Sequence, residues 1–133
     1  IVSIFVIFGC VLNAGEAGEG FITAYWAFHP ESNNSGPEFY RELCDKNNVP
    51  AKMRGLYHYY GFATAVVLVE GLKRAGKNLN RKRFINALEN LKNWESGVFP
   101  PITYSRNDHA GVESVMLLQL QSGKQVEISD WLN

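Results

Sequence analysis

Cysteine is scarce in this chain: Cys10 and Cys44 are the only two in 133 residues. Two cannot build a disulfide scaffold, and they show no metal-ligand spacing. Either they pair with each other or they are two buried, inert thiols. Histidine is as sparse, and His29, His58 and His109 are scattered, none at i, i+4 spacing to another metal-type ligand. No metal centre, cofactor or catalytic residue is therefore expected, because no nucleophile, base and acid converge. An excess of one charge is also lacking. Lys+Arg and Asp+Glu number 13 each, with no basic run, so there is no electrostatic footprint for nucleic acid or an anionic membrane. A long apolar run is missing too. The stretch Ile1 to Phe8 falls short of the ~20 residues a membrane-spanning helix needs. As a lipoprotein signal ending at Cys10 it lacks a basic start and puts bulky Phe8 where small residues are usual. It reads best as a buried β-strand, rich in β-branched residues and ended by Gly9.

What the chain does have is the means to build a core. Hydrophobic residues make up 46% and charged residues 20%, which places it among globular domains and not among disordered chains. After Ile1 to Phe8, Val11 to Gly20 is a glycine-punctuated turn or short helical turn. Phe21 to Ala27 is a second strand, closed by His29-Pro30. A helix begins near Pro37, with Ser35 and Glu38 at capping-box spacing. Phe39, Tyr40, Leu43 and Cys44 share one of its faces. Leu56 to Ala75 is the longest helix, apolar on nearly every side through Ala63 to Val69, so it is expected to be buried all round. Asn80 caps a third helix with the stripe Phe84, Ala87, Leu88, Leu91. Ile102 to Tyr104 is extended, and Arg106 to Gly111 is a turn. Val115 to Gln121 and Gln125 to Ile128 form a hairpin across Ser122-Gly123, with Met116, Leu118 and Leu120 on one face. The class is α/β, helices covering a sheet. Two strands followed by three uninterrupted helices is an odd order for a complete domain, and the chain is expected to be part of something larger.

Among candidate site residues, the segment Leu56 to Phe62 (LYHYYGF) stands out. Four aromatics and a histidine gather where a helix start exposes backbone N–H groups, a place suited to the apolar side or the carboxylate of a small ligand. Tyr57 and Tyr59 lie nearest that start, while Tyr60 and Phe62 read as core. Trp26, just after a strand, is placed to reach a cleft; Trp94 and Trp131 read as edge packing. Gly15 to Gly20 (GEAGEG) is not a phosphate loop, since its glycine spacing is wrong, a strand follows, and Glu16 and Glu19 would repel phosphate. Asp108-His109 reads as part of a turn.

Several stretches resemble one family. AGEAGEGFITA (Ala14 to Ala24) resembles the turn and following strand of the extracytoplasmic ligand-binding proteins of branched-chain amino acid importers. FYREL (Phe39 to Leu43) resembles their next helix, and YYGFATAVVLVEGLKRAG (Tyr59 to Gly76) is similar to their long helix. Arg81 to Gly111 and Val112 to Trp131 resemble the helix-and-turn stretch and the closing hairpin that follow. Five such matches in the right order cover nearly all of Gly9 to Asn133.

The resemblance implies part of a two-lobed type 1 periplasmic binding protein, each lobe a sheet flanked by helices. It implies a small solute, a branched-chain amino acid or related small organic ligand, held between the lobes and delivered to a membrane ABC permease without catalysis. The lobes would close on the ligand by hinge motion. Residues 1–25 would belong to the second lobe, 26–111 to the helical part of the first, and 112–133 to a hairpin returning to the hinge and second lobe. Tyr57 falls where the family places an aromatic against the ligand side chain. The family acid that often meets the ligand's amino group has no counterpart after Gly9, where Cys10 follows, so aromatic acids and amides stay open beside amino acids. The location implied is periplasmic or extracytoplasmic. A ligand-sensing receptor domain of the same fold is the alternative. Without the lobe's parallel strands, the apolar long helix has nothing to cover, so this chain alone is expected to form a homodimer or swap elements with a copy.

Overall fold

The computed structural model describes residues 14–133, so the expected strand Ile1 to Phe8, and Cys10 with it, lie outside the described residues. The chain divides into two compact units, one made of the described residues up to Trp26 with Glu113–Asn133, the other of Ala27–Val112.

The first unit is a small antiparallel sheet. Gly15–Gly18 makes a short 3-10 turn, with Gly15 (φ 57°) and Gly20 (φ 80°) supplying left-handed backbone at its two ends. Strand β1 (Ile22–Tyr25) follows and pairs antiparallel with β2 (Met116–Gln121), which pairs in turn with β3 (Lys124–Glu127). Strand order is β1-β2-β3, with Tyr25 opposite Met116 and Leu118 opposite Glu127. The hairpin turn uses Ser122 (φ 52°) and Gly123 (φ 74°), both left-handed, whose twist matches that of the strands they join. Period-two alternation then decides burial. Met116, Leu118 and Leu120 are buried with Tyr25, while Leu117 and Gln119 between them are half-buried. Tyr25 stays satisfied by donating its hydroxyl to Gln125 Oε1 at 2.8 Å. Glu19 Oε1 accepts from the Ser122 N–H at 2.8 Å, tying the glycine-rich turn to the hairpin tip. That glutamate has a structural job in a segment whose glycines only superficially suggest a phosphate loop.

The second unit holds three helices: α1 (Ser35–Lys46), α2 (Leu56–Ala75) and α3 (Arg81–Glu89). Helix α1 starts earlier than its sequence suggests. Asn34 is the N-cap, its carbonyl accepting from the Glu38 N–H, and Ser35 is already helical, so the expected Ser35–Glu38 capping box does not form. The reason is a tertiary contact: Gly36 N–H donates to Gly97 O at 3.1 Å, which fixes this turn as helix. Asn80 caps α3 as expected, its side chain accepting from the Arg83 N–H at 2.9 Å. Helices α2 and α3 approach closely at Gly71, where a Cβ would fall 2.7 Å from Leu88 Cδ2 and 2.8 Å from Phe84 Cε2. The stripe on α3 is thus used, with Leu91 fully buried just beyond the helix end; Val98 and Ile102 are buried too. The expectation that α2 is buried all round is corrected: Tyr59, Ala63 and Gly71 are its buried residues, and Leu68, Val69 and Leu72 are exposed. Likewise Tyr40 and Cys44 are buried on α1 but Phe39 and Leu43 are exposed. After α3 the chain runs through two isolated bridges, Trp94 with Ile102 and Thr103 with Gly111.

Candidate functional site

Aromatic residues from α1 and α2 meet inside the helical unit. Tyr40 sits edge-on to Tyr59 (ring centroids 5.1 Å apart) and tilted to Phe62 (5.3 Å) and His58 (5.6 Å). Phe39 and Tyr60 extend the cluster, 6.0 Å from Phe62 and 6.3 Å from Tyr59 respectively. The sequence places Tyr59, Phe62 and Ala63 within one turn of α2, so their side chains reach α1 together. The Tyr40 hydroxyl is in hydrogen-bond contact with His58 Nδ1 at 2.9 Å. Burial, then the neighbouring Cys44 thiol, pushes the Tyr40 phenol up to about 12, with Arg54 pulling weakly the other way. Burial also raises Tyr59 and Tyr60, so all three phenols stay neutral donors at physiological pH.

Beside this cluster lies a cavity of about 210 Å³ lined by Tyr40, Leu43, Cys44, Asn47, Val49, His58 and Phe62. Cys44 is a free, buried thiol in its wall. Among the described residues no group of three metal-type ligands occurs, and no charged side chain is buried. The arrangement can hold apolar matter and offer hydroxyl hydrogen bonds.

The three residues singled out from the sequence fare differently. Tyr57 stands 62% exposed on the first turn of α2. The helix start beside it is capped only by Gly55, which has no side chain to satisfy the free N–H groups. Tyr59 is fully buried, and its hydroxyl has no hydrogen-bond partner. A hydroxyl buried without a partner is costly. Trp26 is half-buried at the end of β1's unit.

Comparison with known proteins decides the family. A family described as periplasmic binding protein matches residues 8–125. This chain belongs to the periplasmic binding protein family. No curated protein sequence matches it. Solved structures of binding proteins share the fold. One is described as a branched chain amino acid ABC transporter from Thermus thermophilus with bound valine, at TM-score 0.82 and 21% identity, covering 90% of this chain and 35% of that one. A possible leucine/isoleucine/valine-binding protein from Rhodopirellula baltica gives TM-score 0.73, 19% identity and coverage of 86% and 31%. A leucine binding protein from Thermotoga maritima gives 0.59, 22%, and coverage of 90% and 32%. The chain thus spans about a third of the length of these binding proteins, and its fold is part of the type 1 periplasmic binding fold, α/β in class.

Sequence reasoning singled out Tyr57 and Tyr59 but missed the cavity whose lining includes Tyr40, Cys44 and His58. The signal was present in part: Tyr40 and Cys44 lie at i, i+4 on α1, one helical face. Nothing local names α2 as the helix that face meets.

Proposed function

We propose that this chain is part of an extracytoplasmic solute-binding protein that takes a small ligand, a branched-chain amino acid or related small organic solute, in a cleft between two lobes and delivers it to a membrane ABC permease. The observation that carries this is the family match over residues 8–125, and the Thermus thermophilus relative described with bound valine supports the ligand class. In this reading residues 1–25 and 112–133 serve the second lobe and residues 26–111 the first. Tyr57 is the first residue this reading assigns to the ligand, and Tyr59 and Trp26 are the other two aromatics it nominates. Exposure favours Tyr57 over Tyr59, whose side chain is fully buried. The protein then acts by binding and hinge closure, with no bond made or broken, in the periplasm or at the cell surface.

The test is a thermal-shift screen with valine, leucine, isoleucine, aromatic and polar amino acids, and small aromatic acids. A true ligand at 100 times its Kd stabilises by ~2.7 kcal/mol, a melting shift of roughly 5–10 °C for a domain of this size. A shift with one chemical class that is lost in Tyr57→Ala supports the reading. Indifference of the intact protein to every amino acid and organic acid would sink it.

A further inference from the structure

A second cavity, of about 230 Å³, lies in the helical unit and is lined by Ile85, Leu88, Glu89, Tyr104 and His109. Helix α3 supplies Ile85, Leu88 and Glu89 at i, i+3 and i+4, one face of one turn. The other wall comes from the segment closed by the Thr103–Gly111 bridge. Tyr104 is held there because residue 111 is glycine: a Cβ at that position would fall 2.5 Å from Tyr104 Cε1. The turn that presents His109 is built by Ser105 N–H donating to Asp108 O at 2.8 Å and Ala110 N–H donating to Asp108 Oδ1 at 2.9 Å. His109 Nε2 then meets Glu89 Oε1 at 3.1 Å, the imidazole 63% exposed and the carboxyl side chain only 20%.

The walls are therefore hydrocarbon and a phenol ring, with one carboxylate whose side chain is 20% exposed. The imidazole that faces the carboxylate rides on an exposed turn. A carboxylate set among aliphatic and aromatic walls favours a positive partner, and those walls favour an apolar body. The volume is below the ~300–1,000 Å³ of drug-sized sites, which restricts the occupant to a small molecule.

We propose that this cavity binds a small organic cation, a primary ammonium on an apolar body, with Glu89 meeting the ammonium, Ile85, Leu88 and Tyr104 enclosing the body, and His109 displaced. The proposal does not rest on the solute-binding reading, and the site is made within the helical unit alone.

The probe is phenethylamine, titrated into the intact protein while the methyl resonances of Ile85 and Leu88 are followed. Saturable shifts of both are expected. 3-Phenylpropionate, with the same ring and opposite charge, and neutral 2-phenylethanol should bind at least about tenfold more weakly, the size of one lost charge-assisted hydrogen bond. Glu89→Gln, which keeps shape and removes charge, should cost phenethylamine the same factor, and His109→Ala should tighten it. Equal binding of the three probes, indifference to Glu89→Gln, weaker binding in His109→Ala, or no saturable shift at Ile85 and Leu88 would each overturn the proposal. Valine enters the same titration as a control. Its failure to shift these methyls leaves the cleft reading untouched, so the two proposals fail separately.

Discussion

The sheet β1–β3 and helix α2 are both strongly apolar in sequence, and they treat that apolarity differently. In β2, residues Met116, Leu118 and Leu120 point one way and are all buried, with the strand's own neighbours providing the register. In α2, the run Ala63 to Val69 is more apolar still, yet Leu68 is 49% and Val69 45% exposed. A hairpin turn fixes a strand's register from a few residues away, and period-two alternation then sorts its side chains between two faces, whereas nothing local fixes which face of a helix is covered. Apolar sequence therefore predicts burial only where the fold supplies a surface to cover it.

The largest test of this contrast compares one leucine from each region. Leu118→Ala should cost about 2–5 kcal/mol in chemical denaturation, because the side chain is removed from a closed core. Leu68→Ala should cost under about 0.5 kcal/mol, since the side chain is half in water and alanine favours the helix. Equal losses would mean that the exposed face of α2 is covered in solution. Light scattering then asks by what: self-association of the chain that weakens in Leu68→Lys would identify a second copy.

A smaller effect in the helical unit depends on pH. Raised phenol pKa values mean that the unfolded tyrosines lose their protons first as pH rises. The unfolded state then binds fewer protons than the folded state, so stability falls with pH. For Tyr40 the window runs from its ordinary 10.0 to about 12, and Tyr59 and Tyr60 shift in the same direction. Helical circular dichroism should therefore decline as pH is raised through that window, and Tyr40→Phe should make the decline shallower. A decline that Tyr40→Phe leaves unchanged would place the alkaline weakness outside the aromatic cluster.

The smallest effect is at Tyr59. Removing a hydroxyl that is buried without a partner should leave stability unchanged or raise it by about 1 kcal/mol. If Tyr59 serves a ligand as proposed, Tyr59→Phe will weaken binding while the protein melts no lower. A clear loss of stability would instead reveal a hydrogen bond made in solution.

Much of the chain was legible residue by residue. Ser122-Gly123 between alternating strands specified the hairpin, because left-handed backbone at both positions is what a tight turn requires. Asn80 marked the start of α3 through its side-chain acceptor. The start of α1 was misread, since Ser35 and Glu38 have cap spacing but the Gly36–Gly97 hydrogen bond draws Ser35 into the helix. At the candidate site, Tyr57 and Tyr59 were visible as an aromatic cluster at a helix start. Their opposite exposures were not, because adjacent odd positions on a helix face different directions and only the placement of α1 says which is covered.

The sequence alone thus determined the features whose interactions span a few residues: strand alternation, the hairpin turn, the α3 cap, the glycine-rich turn, and the family to which these belong in order. Tertiary structure alone decided which apolar faces found a partner. It brought Tyr40 and Cys44 against α2, and it set His109 on Glu89 across 20 residues of sequence. The physical reason is range. Turn and cap chemistry is enforced by neighbouring backbone, whereas burial depends on which surfaces the folded chain carries together.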